Sequence, residues 1–540
     1  MKIKFLLALS LLVILTNAIA SQGVLYYKSG FPVIAKNILL QDFNAGINKD
    51  EATYYLGNIY FNENKIDSAK YFFNEGLKAN PLSALNSIGN IMLTLKSTDP
   101  KIATASLMKI INDKSNKKNI AIPIAVSYAY LYVGDANKAL EYWNKARSVN
   151  SKSAELFVLK GDILAPSSLG DACSNYETAI LYNKDCKEAY VKYARVYKAM
   201  NPKEAIKKLI ELKSISPDFV LVDRELGDIY YAMNDFENAS VSYEKYIKSG
   251  NVTNVSDLTK YSMTLFMNHD FNKSLDVAKM GLLKTPNSPA FSRLVMYNYV
   301  DLKNPAEAIN YADLLFNKST NPEFTFLDYR YYGQALRDSK QYNNAAKQYI
   351  IALKYDTTKV ELWKDISDMY TEIDSLNNAI DAYNKYINSN PEKLKKSPDA
   401  LMSLGKLYYG LGNDSTSSTE LKKSALLKAD SIFAVVKSFE PEGYRGDFWR
   451  ARTNAALDPE TTLGLAKPFY ELTLAIVEPK NDPRYNAVLV ECYSYLGYYT
   501  LLQKDNAGSL VYWNKILVIS PTNATAKKAI AGIQAPKKKK

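Results

Sequence analysis

Two small side chains twelve residues apart, with an aromatic four residues further on, recur along this chain and constrain its fold more than any other feature. Gly57, Ala69 and Phe73 stand at these positions, and Pro81 follows Ala69 by another twelve. Leu226-Gly227, Tyr230, Ala239 and Tyr243 repeat the intervals, as do Gly333, Ala345, Tyr349 and Ala352. Trp363, Tyr370, Ala379, Tyr383 and Pro391 do so again, and Leu496-Gly497, Trp513 and Pro521 close the series. Weaker copies lie between them: Tyr130, Ala139, Trp143 and Ala146; Gly161, Ala172, Tyr176 and Ala179, one residue short at the turn; Tyr197, Ala205 and Pro217. Ser274 with Pro286, Tyr299 with Ala308 and Ala312, and a degenerate unit from Gly89 to Asn112 complete the register. A fixed period of this length means a stack of like units, each burying its apolar face only against its neighbours.

The intervals have a physical cause. A small residue such as Gly57 or Gly227 lets one helix lie close to the next, and Ala69 or Ala239 stands at the same crossing from the other side. The aromatic one helical turn on, Phe73 or Tyr243, fills the space between adjacent units. The proline ends the second helix, and Asn62 to Lys65, Gly134-Asp135 and Asn234-Asp235 supply short polar turns.

On these residues the chain resembles the tetratricopeptide repeat family, whose unit is a helix–turn–helix of about 34 residues. The resemblance implies an all-α, right-handed α-solenoid of about thirteen repeats over nearly the whole chain. The reading divides it into a signal peptide (1–20), an N-terminal capping or partial repeat (21–48), a repeat array (49–392), an array with insertions (393–521) and a C-terminal capping helix with a lysine tail (522–540). Within the first cap, Tyr26 to Phe43 reads as two short helices, the second beginning at Phe31-Pro32. Residues 113–122, 411–424 and 440–462 break the period, and their Ser, Thr, Asn and Gly content reads as loops.

Composition refines this. Met1 to Lys4 is a basic start, Phe5 to Leu15 is apolar, and Ala18-Ile19-Ala20 places small residues where a signal peptidase cuts. The expectation is export to the periplasm or beyond. The apolar run is short of the roughly 20 residues a membrane span needs, and no cysteine follows for lipidation. Half of the +12 formal charge sits in Lys2, Lys4 and Lys537 to Lys540. The remainder forms no dense block, so a nucleic-acid partner is not expected. Cys173, Cys186 and Cys492 show neither a metal-ligating spacing nor an evident pairing. The 42 tyrosines fall largely at repeat-packing positions.

No catalytic constellation emerges. His269, the single histidine, falls in a turn without fixed acid or nucleophile neighbours. No phosphate-binding glycine loop, nucleophile elbow or zinc-ligating motif is present. The expectation is a protein that is not an enzyme and holds no cofactor or metal. Arg445-Gly446-Asp447 spells an attachment tripeptide, too short to weigh. Asp67-Ser68-Ala69, Asp374-Ser375-Leu376 and Asp430-Ser431-Ile432 match an O-glycosylation sequon of some exported proteins; the first and third overlap the second-helix register, where helix N-caps explain them equally well.

What the resemblance implies about binding is a concave groove lined by the first helix of each pair. Groove positions fall one after the small residue and three or four to either side. They give Tyr54, Asn58 and Phe61; Arg224, Asp228 and Tyr231; Arg330, Gln334 and Arg337; and Lys406 and Tyr409. Other proteins, envelope or outer-membrane components among them, are the expected partners. The two-carboxylate clamp of some family members lacks its residues here: Tyr54 replaces the lysine, and Asp368 follows Lys364 where asparagine belongs. A glycan- or nutrient-binding envelope protein is the alternative.

Overall fold

The computed structural model describes residues 22–96, 98–250 and 254–535. The signal-peptide reading of residues 1–20 and the lysine tail lie outside them. The described residues are all helix and turn, without a strand. The chain forms two compact units, Met1–Asn298 and Tyr299–Lys540, so the division lies within the continuous array read from sequence.

The first unit stacks eight hairpins. They are 22–28 with Pro32–Ala45, Lys49–Asn62 with Ile66–Ala79, Ala84–Met92 with Pro100–Asn112, and Ala121–Tyr132 with Ala136–Val149. Ala154–Leu164 with Leu169–Tyr182, Lys187–Tyr197 with Pro202–Ile215, Leu221–Ala232 with Phe236–Lys248, and Val255–Met267 with Phe271–Lys284 complete it. The helix Pro289–Asp301 carries the boundary. The second unit continues with Pro305–Asp313, then Phe326–Asp338 with Tyr342–Tyr355, Leu362–Glu372 with Leu376–Ser389, and Pro398–Asn413 with Thr419–Phe439. Arg445–Leu457 with Lys467–Val477 and Asn486–Leu502 with Asn506–Ile519 follow, and Ala524–Gln534 lays Ala526, Ile530 and Ile533 on the cluster around Trp513 and Ile516. Each unit is an α-solenoid of helical hairpins.

The spacing of twelve is a direct contact. The Ser127 hydroxyl donates to the Ala139 carbonyl at 2.7 Å, Ser262 to Ser274 at 2.8 Å, and Ser367 to Ala379 at 2.8 Å. In the last hairpin the direction reverses, with Ser509 donating to Gly497 at 2.7 Å. The aromatic position explains the glycines. A Cβ on Gly57 would lie 2.2 Å from Phe73 Cε1, and one on Gly89 would lie 2.3 Å from the same atom. The fully buried Phe73 ring is therefore held between the first helices of two successive hairpins.

The turns inside the hairpins share one conformation. Asn64, Asn234, His269 and Lys340 have φ of 59°, 59°, 59° and 60°. The next amide turns back onto the first helix: Lys65 N–H donates to Tyr60, Asp235 to Tyr230 and Asp270 to Leu265, each at 2.9 Å. This closes the orphan carbonyls of a helix C-terminus. Asp235 and Asp270 then accept from Asn238 N–H at 3.2 Å and Lys273 N–H at 3.4 Å, starting the second helix. His269 thus serves as a turn residue.

Two of the loop readings are corrected. Residues 411–424 are mostly helical, because they lengthen both helices of one hairpin to Pro398–Asn413 and Thr419–Phe439. Leu411 continues the buried face of Leu404 in the first helix, Ala425 and Leu426 that of Ala429 and Phe433 in the second, and only 414–418 form the turn. Residues 445–457 form the first helix of the next hairpin, with Phe448 and Ala451 buried. Its irregular connection is 458–466, where Asp458 accepts from the Thr462, Leu463 and Gly464 amides. Within this helix Asp447 is buried and paired with Lys437 at 2.7 Å, which removes the tripeptide from display. The N-cap reading of two Asp-Ser sites also fails. Lys65 caps the helix holding Asp67, and Asp430 lies mid-helix, accepting from Arg450 and Asn454.

Candidate functional site

In the first unit the first helices of six hairpins converge on one cavity of about 620 Å³. Each contributes by its position in the repeat. Tyr54, Tyr55 and Asn58 come from Lys49–Asn62, Tyr128 and Tyr132 from Ala121–Tyr132, and Asp162 from Ala154–Leu164. Glu188 and Lys192 come from Lys187–Tyr197, and Tyr27 and Lys28 from the helix 22–28.

That N-terminal helix is held on the inner face by contacts far along the chain. The Tyr27 and Tyr132 hydroxyls are 2.9 Å apart, and Lys28 Nζ lies 3.0 Å from Glu155 Oε1. Tyr26, almost wholly buried, packs 6.1 Å from the Phe219 ring. The Arg195 guanidinium donates to the Ser29 and Gly30 carbonyls at 3.1 and 2.9 Å, pairs with Glu225, and lies 4.1 Å from the centre of the Phe31 ring. A β-carbon on Gly30, whose φ is +80°, would collide with Arg195 Nη1, so this close approach requires glycine.

The cavity wall is aromatic and acidic. Tyr27 and Tyr55 lie 5.2 Å apart, Tyr54 and Tyr55 5.1 Å, and Tyr128 and Tyr132 5.7 Å. Asp162 accepts from Tyr128 at 2.7 Å, from Tyr176 at 2.9 Å and from Lys192 at 2.5 Å. Burial pushes the Tyr54 phenol up to about 12, although a hydrogen bond from Asn58 opposes it. Burial also raises Glu188 and Glu51 above the usual carboxylate range, against the pull of Lys192 on the first and Lys28 on the second. For Lys28 burial acts against the charge, but Tyr55, Glu155 and Glu188 outweigh it and hold the ammonium above the ordinary lysine value.

The residues placed on the groove from sequence are distributed as follows. Tyr54 and Asn58 line the cavity, whereas Phe61 is half-buried against the neighbouring hydrophobic cluster. Arg224 pairs with Asp257 at 2.8 Å and reaches Glu225 and Asp228. Asp228 also accepts from Tyr243 at 2.5 Å and Lys260 at 2.8 Å. Arg224 and Asp228 border a second hollow of about 280 Å³ beside Phe31, while Tyr231 meets Phe236 edge-on. In the second unit Arg330 lies 5.8 Å from the Tyr331 ring, and Gln334 and Arg337 are half-buried. Lys406 and Tyr409 converge on Trp449, at 5.1 and 5.4 Å.

Sequence reasoning missed much of the cavity, though the signal for part of it was present. The offset that gives Asn58 after Gly57 also gives Tyr128 after Ser127 and Asp162 after Gly161, and, at the second hollow, Arg195 after Ala194. Tyr27 and Lys28 stand outside any repeat register.

Among the described residues no three His, Cys, Asp or Glu side chains are grouped to hold a metal ion, and no helix is long and apolar enough to cross a membrane. All three cysteines are buried and unpaired.

A family model for the tetratricopeptide repeat matches residues 225–249. No curated protein matches the chain. Among solved structures, the C-terminal part of a TPR repeat-containing protein from Cytophaga hutchinsonii is 29% identical, covering 50% of this chain and 99% of its own, with a TM-score of 0.38. PilW, described as a widely conserved type IV pilus biogenesis factor, is 18% identical over 38% of this chain and 96% of its own, with a TM-score of 0.32. A tetratricopeptide repeat protein from Parabacteroides merdae is 10% identical over 53% and 99%, with a TM-score of 0.28. The matched segment lies in the hairpin of Gly227, Ala239 and Tyr243, and the same small–small–aromatic geometry recurs in both units, so the chain is a tetratricopeptide-repeat protein.

Proposed function

We propose that this protein is an exported, non-catalytic scaffold of the cell envelope that holds partner proteins on the first-helix face of its repeats. The observation that carries the reading is the seat of residues 26–31. There the first-helix face of the first unit grips a peptide segment by two carbonyls, a buried ring and a guanidinium. A surface that holds one segment in this manner has the chemistry to hold another. On the second unit the same face carries Arg330, Gln334 and Arg337, then Lys406 and Tyr409 beside Trp449. Aromatic and guanidinium groups of this kind anchor protein interfaces.

Export rests on the sequence of residues 1–20, and N-terminal sequencing of the mature protein tests it: cleavage after Ala20 is expected. Partner binding is tested with a photo-crosslinking residue at Gln334 or Tyr409, and at Leu427 on an exposed second-helix face. Discrete adducts with envelope proteins are expected from the first two positions and not from the third. Equal labelling at all three, or no protein adduct together with saturable glycan binding, refutes the reading and favours the glycan alternative.

A further inference from the structure

The cavity of the first unit carries more negative charge than its own cations neutralise. Lys28 and Lys192 face four carboxylates, Glu51, Glu155, Asp162 and Glu188. Asp162 is fully engaged by Lys192 and two tyrosine hydroxyls, and Glu155 takes Lys28. Glu188 is more than nine-tenths buried, borders the cavity, and has no hydrogen-bond or ion-pair partner among the described residues. Glu51 borders the same space from the helix Lys49–Asn62.

We propose that this cavity is a binding site for an alkylammonium group, seated between Glu188 and Glu51 beside the Tyr54–Tyr55 pair. Three features select that chemistry. First, most of the wall's tyrosine hydroxyls are turned to protein partners, Tyr27 to Tyr132 and Tyr128 to Asp162, which leaves that of Tyr55 as a donor. The two carboxylates left over are acceptors only when ionised, whereas an ammonium offers three donors and no acceptor. A sugar, which brings donors and acceptors together, finds few free donors here. Second, the rings of Tyr54 and Tyr55 supply the electron-rich walls that attract a desolvated cation. Third, the site already holds one such group. The Lys28 ammonium lies on Glu155 and is stabilised in its charged form by that surrounding despite burial. A volume of about 620 Å³ leaves room for a second ammonium on an aliphatic stem, within the range of small-ligand sites. The stem belongs either to a free diamine or to a lysine of a bound peptide. The site stands whether or not the second unit holds a protein.

The test is calorimetric titration of the full-length protein with cadaverine, with acetyl-lysine amide, and with pentanol and maltose as neutral probes. Saturable binding of at least one amine is expected, with the neutral probes silent. Binding of cadaverine alone identifies a free amine as the source, and binding of acetyl-lysine amide alone identifies a lysine side chain. Glu188→Gln is nearly isosteric and should weaken amine binding at least tenfold while the helical circular dichroism is unchanged. Lys28→Ala exposes a further carboxylate, and cadaverine should then raise the melting temperature more than it does for the parent protein. The proposal is overturned if neither amine binds, if Glu188→Gln binds as the parent does, or if maltose binds more tightly than either amine.

Discussion

Replacing Gly57 by alanine tests the packing rule behind the whole array. The added Cβ would lie 2.2, 2.5 and 2.6 Å from three ring atoms of Phe73. The ring has little room to retreat, because the Gly89 backbone packs on the same edge so closely that a Cβ there too would lie 2.3 and 2.5 Å from it. Inserting a methyl into a filled core costs about 1–3 kcal/mol. Alanine regains about 1 kcal/mol of helix propensity over glycine. The difference spans about 0–2 kcal/mol, and a contact of 2.2 Å puts Gly57 at the upper end, where the steric term wins. Because a repeat array opens locally, hydrogen exchange read by mass spectrometry over residues 49–92 is the apt assay. A loss of about 1.4 kcal/mol appears there as about tenfold faster exchange. Gly170→Ala is the matched control, since no atom lies within 4 Å of its new Cβ, and it should leave exchange unchanged or slower. The double substitution Gly57→Ala with Phe73→Leu should cost less than the sum of the two singles, as contacting residues couple. Parent-like exchange in Gly57→Ala, or strict additivity in the double variant, would refute the reasoning.

Three further outcomes follow from the geometry. Glu188 binds its proton more readily folded than unfolded because it is buried, so its ionisation costs stability. That cost is absent in acid, begins as pH rises past the unfolded carboxyl value of about 4.3, and is complete above the raised folded value. Glu188→Gln should therefore raise the melting temperature at pH 7 and lose that advantage by pH 4, and an equal gain at both pH values would exclude the burial argument. Arg195→Ala removes the donor to two carbonyls and one partner of the buried Glu225, at a cost of about 3 kcal/mol; residues 22–31 should lose exchange protection, and retained protection would show that Arg195 does not hold them. Burial pushes the Cys173 thiol up to about 11 and Cys186 up to about 12, and Cys492 is raised by the same cause. A disulfide reagent at pH 8 should find no fast-reacting thiol in the native protein and three after denaturation, whereas a fast native phase or fewer than three would contradict this.

The hairpins were legible in sequence because their cause is local. Gly57 and Phe73 meet across one short turn, as do Ser127 and Ala139, and an interval survives in sequence when both partners belong to one unit. The stretch 411–424 misled because its serines and threonines suggest a loop, whereas Leu411 extends the buried face of Leu404, and Ala425 and Leu426 that of Ala429 and Phe433. The stretch 445–457 misled through Gly446, which in the fold is a close helix crossing: its Cβ would lie 2.8 Å from the Lys437 backbone nitrogen. Of the cavity, Tyr54 and Asn58 came from the register, and Asp162 and Tyr128 were within its reach. Lys28 and Tyr27 were not, because they arrive by tertiary docking, which leaves no interval to read.

That docking has a kinetic consequence. Most contacts in a helical-repeat array join residues close in sequence, and such arrays fold quickly from any point. Here Tyr27 meets a partner 105 residues away, Lys28 one 127 away, and Ser29 one 166 away. Residues 26–31 are made long before the helices they dock on and must wait for Arg195, Phe219 and Arg224 before they can seat. Its docking closes a loop of more than half the first unit, the step that loop-closure entropy slows most. The hairpins should zip early and residues 26–31 should lock them last, which leaves a long interval in which that segment is bound to nothing of its own.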